Sequence, residues 1–310
     1  LFRSVIGQGT GQWDVPIGGM GAITGQLADR VRQSGGEIRT EVRVTSIVRD
    51  GSTLAIQAEG EHGSEEWQAR TVAAGCARSV LDSLRGESVV DIDASQGGSQ
   101  LKVNMLLARL PALRDPSVSP AAAFSGTFHV NESYAQLSRA YQDASSGGFP
   151  EPLPAEIYCH TLSDGSIVSP ELRDSGVHTL TLFGLHTPHR LFEATSPPTT
   201  RELINAVSAS LDSVLGDSLE ECLLLDGEGK PCIEVNTTMD LQRDLALPAG
   251  NIFHDPLQWP WATSRDDVGR WGVETDDPAL VVCGSSAVRG GGVSGIPGHN
   301  AAQYLLKYLT

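Results

Sequence analysis

The stretch "VVCGSSAVRGGGVSGIPGHNAAQYLLK", residues 281–307, joins an uncharged, β-branched run to a small-residue helix through a glycine-dense turn. "ALVVCG" predicts a short buried strand, and "GHNAAQYLLKYL" predicts a helix whose Ala301 and Ala302 permit close approach to a neighbour. Free N–H groups and the positive end of the helix dipole favour an electron-rich ligand edge or a phosphate, although such a turn can equally serve tight packing. The glycines that remove side chains there are Gly290, Gly291, Gly292, Gly295 and Gly298.

Length and composition describe a globular chain. Its 310 residues, 40% of them hydrophobic, suffice for one large core or two medium ones. No uncharged apolar run reaches the roughly eighteen residues of a membrane span, so we expect no transmembrane segment. A formal charge of −16 without a basic cluster should repel phosphate backbones, which argues against a nucleic-acid partner. The 5 cysteines are widely spaced without a C-x-x-C pair, so we expect buried thiols in a reducing, cytoplasmic environment.

The rest of the sequence divides into two regions that meet in the polar segment 86–100. An amphipathic helix carrying Met20, Ile23, Leu27 and Val31 opens the first region, and alternating strands follow it up to about residue 75. Between residues 96 and 249, strands and helices do not alternate strictly, which favours a mixed or antiparallel sheet with helices. We therefore predict an α+β chain of two domains, with 1–95 and 250–310 forming one and 96–249 the other.

The clearest helix of the second region begins at Thr199. Its hydroxyl group and Glu202 have the spacing of a capping box. An apolar face follows at helical spacing, which predicts a helix packed on a core. That face consists of Ile204, Val207, Leu211 and Leu215.

Three segments, in order, resemble one known family. "CGSSAVRGGGVSGIPGHNAA" is similar to the C-terminal flavin-contacting signature of phytoene desaturase-like FAD-dependent oxidoreductases, in which Cys-Gly-Ser-Gly continues through His-Pro-Gly-Gly-Gly-Val to Gly-Arg-Asn-Ala-Ala. "WDVPIGGMGAITGQLADRVRQSGGEIRTEVRVTSIV" resembles its Pro-x-Gly-Gly-Met-Gly helix and following strand. "LPAGNIFHDPLQWPWA" resembles the Gly-Asn-Ile-Phe-His segment of the subgroup of pyridine nucleotide-disulfide oxidoreductase domain-containing protein 2.

The resemblance implies a two-domain flavoprotein fold similar to that of amine oxidases and carotenoid desaturases. In that family a βαβ unit bearing G-x-G-x-x-G precedes the segments matched here. The glycines at 7, 9 and 11 and at 18, 19, 21 and 25 fail its strand-turn-helix context, so the pyrophosphate cradle is absent from this sequence. We therefore expect a C-terminal fragment in which 1–95 and 250–310 are an incomplete FAD-binding domain and 96–249 is the substrate domain.

By position, the resemblance also implies which residues contact the cofactor. Val44 corresponds to the strand residue whose backbone meets the adenine, and Ala73 and Gly75 to the strand exit near the ADP half. Where the family carries His-Pro, this chain carries Val288 and Arg289, which removes a ring nitrogen and introduces a cation. Val44 is a core strand residue in any case. The residues implied to line the flavin are Gly284, Ser285, Gly291, Gly292, Val293 and Ser294.

No catalytic acid or base stands out. Lys102 is the polar member of an apolar strand, where it can face a flavin or substrate or act as an edge charge or salt-bridge partner. His254 is the most plausible exception among eight histidines interpreted as surface or packing residues. Trp259 and Trp261 can wall an apolar substrate tunnel or plug the core.

The sequence thus leads to two hypotheses. The first is an FAD-dependent dehydrogenase, desaturase or isomerase acting on a hydrophobic, polyene-like substrate, present as a fragment that binds FAD weakly or not at all. Such a fragment would uncover apolar surface, so we expect a homo-oligomer or a retained N-terminal fragment. The second is a cofactor-free binding or assembly module derived from that fold. An open reading frame continuing upstream through G-x-G-x-x-G would exclude the module.

Overall fold

The computed structural model describes residues 16–89, 96–291 and 294–310. Its contacts group the chain into two units. Unit 1 comprises Leu1–Ser34 and Gly98–Asp240, and unit 2 comprises Gly35–Gly97 and Leu241–Thr310. Helices and antiparallel strands are combined, as the sequence predicts. The helices are α1 (Met20–Gln33), α2 (Arg78–Leu84), α3 (Pro120–Phe124), α4 (Tyr134–Ser145), α5 (Pro170–Asp174), α6 (Thr200–Asp212), α7 (Leu219–Cys222), α8 (Thr238–Leu245) and α9 (Ile296–Leu309). The strands are β1 (Arg43–Asp50), β2 (Thr53–Gly60), β3 (Gly63–Ala69), β4 (Val72–Ala74), β5 (Gln100–Leu107), β6 (Phe128–Val130), β7 (Ala155–Tyr158), β8 (His178–Leu185), β9 (Ile233–Asn236) and β10 (Leu280–Val282).

Unit 1 is built on a five-stranded sheet in the order β6-β7-β8-β5-β9. Each neighbouring pair is antiparallel, which confirms the predicted antiparallel or mixed sheet. One face enters the core because alternate residues of β5 and β8 are buried, while the opposite face carries polar and aromatic side chains. The inward residues of these two strands include Leu101, Val103, Met105, Leu107, Leu180 and Leu182.

Helix α6 covers the buried face of that sheet. Thr199 Oγ1 accepts a hydrogen bond from the backbone N–H of Glu202, and Glu202 Oε2 accepts one from the backbone N–H of Thr199, so the predicted capping box is confirmed. The apolar face is shifted slightly from the prediction, because Leu203 is buried whereas Ile204 is only partly so. Each fully buried aliphatic side chain on this face contributes about 1.5–3 kcal/mol.

Unit 2 contains two smaller sheets. Strands β1, β2 and β3 form an antiparallel meander, whereas β4 and β10 pair in parallel. All three residues of β10 are buried, which confirms the predicted buried strand. Helix α9 contributes Ala301 to this core, but Ala302 is exposed.

Helix α1 forms where the sequence predicts it, yet none of the residues that the structure describes covers its apolar face. Met20, Ile23, Leu27 and Val31 are between 37% and 63% exposed, and no residue of the helix is buried. The helix belongs to unit 1, whereas the predicted domain bounds place it with β1–β4. Just before the helix, the backbone N–H of Gly18 donates to Asp164 Oδ2 at 2.7 Å. The assignment of flavin and substrate roles to the two parts of the chain stays a prediction.

Two further sequence expectations bear on compartment and membrane. No helix in the described ranges combines the length and the apolar character needed to cross a bilayer. All five cysteines are unpaired, but only Cys159 and Cys222 are buried, so the expectation of uniformly buried thiols is wrong. The remaining three are partly exposed: Cys76, Cys232 and Cys283.

Candidate functional site

Two parallel strands of unit 2 end side by side and both lead into helices. β4 continues through Gly75 into α2, and β10 continues through the glycine-rich turn into α9. The backbone N–H of Cys283 donates to Ala74 O at 2.8 Å, which holds the two strand exits together. Crevices at the carboxyl ends of parallel strands are the usual ligand sites of open α/β sheets.

Gly75 and Gly284 meet where these two strands end, and Ala73 lies within β4 opposite Val281. Ala73 and Gly75 are exposed there. Gly284 lies directly on the backbone of Gly75, and a Cβ at Gly284 would collide with the Gly75 carbonyl group. At this position the missing side chain is explained by close packing of two backbones.

The same explanation holds for the next glycines of the turn. A Cβ at Gly290 would collide with the Ser285 carbonyl group. At Gly291, which has a left-handed φ of 78°, a Cβ would lie 3.0 Å from side-chain atoms of Phe253 and Leu257. These glycines serve the chain's own packing, which is one of the two alternatives that the sequence leaves open. Gly292 and Val293 lie outside the described residues.

The N-terminus of α9 is different, because space remains beside it. Gly295 occupies the N-cap position in a left-handed conformation and provides no side-chain cap. Apart from chain neighbours and the helix's own backbone, no atom of the described residues lies within 4 Å of where a Cβ would be placed at Gly295 or Gly298, and both residues are exposed. Ser294 Oγ accepts from the backbone N–H of Ile296 at 3.3 Å. An open, glycine-flanked helix N-terminus is a suitable place for an electron-rich group.

Arg289, the cation introduced in place of the family's proline, is held by backbone carbonyl groups. Its Nε donates to Pro260 O and its Nη1 to Trp271 O, both at 2.9 Å. Asn300 of α9 donates to the same Trp271 carbonyl oxygen at 3.0 Å. The guanidinium group thus fastens the turn to the 260–271 segment.

A cavity of about 590 Å³ opens next to this segment in unit 2. Trp259 and Trp261 line it, with ring centroids 4.9 Å apart. Their side chains are 63% and 58% exposed, which excludes the alternative that they fill the hydrophobic core. Charged side chains share the wall, so the described residues do not form an apolar tunnel. These charged residues are Arg78, Arg270, Arg289, Asp267 and Glu274.

His254 and Asp255 form a strained, incompletely bonded pair in unit 2. His254 has a left-handed φ of 67°, and its Nδ1 is shielded from solvent without a hydrogen-bond partner among the described residues. Asp255 Oδ2 is likewise shielded and unpartnered there. Burial lowers the pKa of His254, opposed by the Asp255 charge, and burial raises the pKa of Asp255. Such a pair is a candidate for proton transfer.

The two other predicted positions do not join the strand exits. Val44 lies near the start of β1 at 37% exposure, so the expectation of a core residue is wrong. Lys102 belongs to unit 1, on the polar face of β5, with its Nζ 5.9 Å from the ring centroid of Phe183. Because β5 lies between β8 and β9, Lys102 is not a charged residue on an edge strand.

The thiols at the strand exits are not activated nucleophiles. Burial raises the pKa of Cys76 and of Cys283, so both remain protonated at neutral pH. Ser286 Oγ donates to Cys76 O at 3.1 Å, which adds a further bond between the two strand exits.

Comparison with known proteins gives relatives but no matching family model. An uncharacterised protein of Mycobacterium tuberculosis is 50% identical over 311 residues, covering 99% of this chain and 57% of that protein. Pyridine nucleotide-disulfide oxidoreductase domain-containing protein 2 of Rattus norvegicus is 29% identical over 321 residues, covering 96% of this chain and 52% of that protein. The chain thus spans little more than half the length of these relatives.

Among solved structures, aklavinone-11 hydroxylase in complex with FAD and aklavinone overlaps 93% of this chain and 40% of its own. The TM-score is 0.45 and the identity 14%. A likeness this low carries no functional argument. The sequence similarity to the rat protein is consistent with the resemblance found in the three motifs.

One cluster of possible metal ligands is not apparent from the sequence alone. His129, Glu132 and Glu156 of unit 1 bring three possible metal-ligand atoms within 4.8 Å of one another. The sequence predicts surface or packing roles for the histidines and gives no metal-ligand pattern for His129. The spacing of His129 and Glu132 is an ordinary local signal, and Glu156 joins them only through strand pairing.

Proposed function

We propose that this chain is part of an FAD-dependent oxidoreductase, of the dehydrogenase, desaturase or isomerase type, acting on a hydrophobic substrate such as a polyene. The observation that carries the proposal is the open N-terminus of α9, whose N-cap residue Gly295 has no side chain, after a buried strand. The similarity to the rat oxidoreductase domain-containing protein supports it. The relatives are longer than this chain, so the activity is assigned to the longer protein.

The described residues fit part of an FAD site. Ser294, Gly295 and Gly298 offer an open, polar edge for the flavin ring, and Gly75 and Ala73 lie exposed at the neighbouring strand exit. Among the described residues, no G-x-G-x-x-G turn joins a strand to a helix, so the pyrophosphate has no cradle here. When bound, FAD supplies the hydride-accepting chemistry, while the chain's own residues orient the ligand and exclude water.

The parallel pair β4–β10 supports the idea that more strands complete this domain. β10 is flanked on its second side by residue 274 through an antiparallel bridge, whereas no described strand pairs with the second edge of β4. Parallel sheets normally have more than two strands, and helices cover both of their faces. We infer that a retained N-terminal fragment or a second copy supplies the remaining cover, and that this chain alone binds FAD weakly or not at all.

Within this proposal His254 is the stronger of the two catalytic candidates. Its unpartnered Nδ1 can exchange a proton with a group that approaches it, and Asp255 is its immediate neighbour. Lys102 is retained as a candidate on the polar face of the substrate unit, where Phe183 borders it.

Flavin titration tests the placement of the cofactor. FAD fluorescence is followed as the 310-residue chain is added, and we expect weak, saturable quenching. Gly298→Val fills the open side of the α9 N-terminus and should abolish that quenching. Gly126→Val is the matched control, because Gly126 also has no atom within 4 Å of an added Cβ but lies in unit 1. If Gly298→Val leaves the quenching intact, the flavin does not lie at the N-terminus of α9. If the wild-type chain takes up FAD tightly and stoichiometrically, the inference that it lacks a pyrophosphate-binding turn is wrong.

The alternative is a cofactor-free binding or assembly module. It is favoured by the packing of Gly284, Gly290 and Gly291 against the chain's own atoms and by the apolar face of α1, which the described residues leave exposed. A module predicts no FAD uptake even when the missing part of a longer relative is supplied.

A further inference from the structure

The polar face of the five-stranded sheet carries a continuous cross-strand row. His129 of β6 lies opposite Glu156 of β7, which lies opposite Phe183 of β8. The row continues through Lys102 of β5 to Asn236 of β9. Because directly opposite side chains in a sheet are about 4.5–5.5 Å apart at Cβ, His129 and Glu156 are held side by side by the strand register.

Glu132 completes this end of the row from the turn after β6. Asn131 adopts a left-handed φ of 59°, which reverses the chain and returns Glu132 toward His129. His129 Nδ1 and Glu132 Oε2 are 2.8 Å apart. The Asn131 amide donates to Leu153 O at 3.2 Å and to Ser210 Oγ at 3.3 Å, which fixes the turn. The three side chains are therefore positioned by backbone structure.

The charge of this cluster is not neutralised within the described part of the chain. Glu132 Oε1 is shielded from solvent and has no hydrogen-bond partner there. Neither Glu132 nor Glu156 forms an ion pair with a lysine or arginine of the described residues, and His129 is the single basic partner of Glu132. A shielded carboxylate oxygen without a donor is costly unless a cation or a proton occupies the space beside it.

Tyr158 orients Glu156 through a hydrogen bond. The Tyr158 hydroxyl group donates to Glu156 Oε2 at 2.8 Å. Tyr158 is itself held by stacking on His160, at 5.9 Å between ring centroids and 7° between planes, and by an edge contact with Phe183. Donors of this kind fix carboxylate ligands in metal sites.

We propose that His129, Glu132 and Glu156 bind one divalent cation of the class that accepts imidazole and carboxylate ligands together, such as Mn²⁺. One ligand atom from each residue lies within 4.8 Å of the others, which a small shift brings onto a common ion. Three protein ligands leave coordination positions for water or for an oxygen atom of a bound molecule. The site lies wholly in unit 1 and does not depend on FAD.

Manganese titration of the intact 310-residue chain tests the proposal. Free Mn²⁺ is measured by electron paramagnetic resonance, and calorimetry gives the stoichiometry. Mn²⁺ is the chosen probe because it prefers oxygen and imidazole to the free thiols of this chain. We expect one saturable site. Glu132→Gln and Glu156→Gln should each weaken binding by about 10-fold or more, and Tyr158→Phe by about 10-fold.

Matched controls come from unit 2. Glu66 and His62 are exposed residues of the same types, so Glu66→Gln and His62→Gln should leave the dissociation constant unchanged. Circular dichroism confirms that each variant is folded, and His129→Gln provides a second ligand variant should one glutamine variant not fold. Absence of a saturable site, or equal loss in the Glu66→Gln and Glu132→Gln proteins, overturns the proposal.

Discussion

Gly290→Ala and Gly298→Ala should change stability in opposite directions. At Gly290 an added Cβ would lie 2.5 Å from the Ser285 carbonyl carbon and closer still to its oxygen, so backbone must move. At Gly298, the third residue of α9, no described atom beyond the chain neighbours and the helix's own backbone lies within 4 Å of the new methyl group. The first glycine is required by packing, whereas the second leaves space beside the helix.

The magnitudes follow from these two environments. Overpacking costs about 1–3 kcal/mol, and more where rigid backbone must shift. Replacing glycine by alanine within a helix gains about 0.5–1 kcal/mol. Since 1 kcal/mol shifts the melting temperature of a domain of this size by about 2–4 °C, Gly290→Ala should lower it by about 2–12 °C. Gly298→Ala should raise it by about 1–4 °C.

Tryptophan fluorescence during thermal unfolding measures both changes in the unit concerned. Trp67, Trp259, Trp261 and Trp271 all belong to unit 2. A Gly298→Ala protein that melts as early as Gly290→Ala would show that the α9 N-terminus is filled by the chain itself. The reasoning about an open ligand edge would then be refuted.

Three further predictions concern pH, capping and association. Because burial raises the pKa of Asp255, ionisation of this carboxyl group destabilises the folded state. Asp255→Asn should therefore have a higher free energy of unfolding than wild type at pH 7, and the difference should vanish as the pH falls below about 4. Denaturant unfolding measured across this pH range checks the prediction. Thr199→Ala removes the capping box of α6 and should cost about 1 kcal/mol, measured by urea unfolding, while equal stability would contradict the cap. The double substitution Ile23→Lys and Leu27→Lys places charge on the exposed apolar face of α1 and should convert an oligomer to a monomer, as measured by light scattering. A wild-type protein that is already monomeric and carries no second fragment would contradict the predicted self-association.

Local signals explain the parts of the fold that the sequence predicts well. The start of α6 follows from Thr199 and Glu202, because a capping box involves only residues three apart. β10 is predicted by an uncharged run of β-branched residues. α9 is predicted by apolar residues at helical spacing that follow a glycine-rich segment. The helical spacing of apolar residues also predicts α1, but this spacing does not show whether another element packs on the apolar face.

Long-range packing explains the parts that the sequence could not predict. Phe253 and Leu257 lie against Gly291 from about thirty-five residues away, so the pattern of glycines alone could not separate packing from ligand binding. Likewise, the pairing of His129 with Glu156 depends on the register of β6 with β7. Val44 looked like a core residue because β-branched strand residues usually are, yet its position near the end of a small meander leaves it exposed.

The central claim is that this chain completes a flavin site. The most direct measurement mixes the chain with the part of the Mycobacterium tuberculosis relative that it does not match, isolates the complex by gel filtration and records its flavin absorbance after incubation with FAD. The account predicts one flavin per complex and loss of that flavin with Gly298→Val. A stable but colourless complex would contradict it and leave the assembly module.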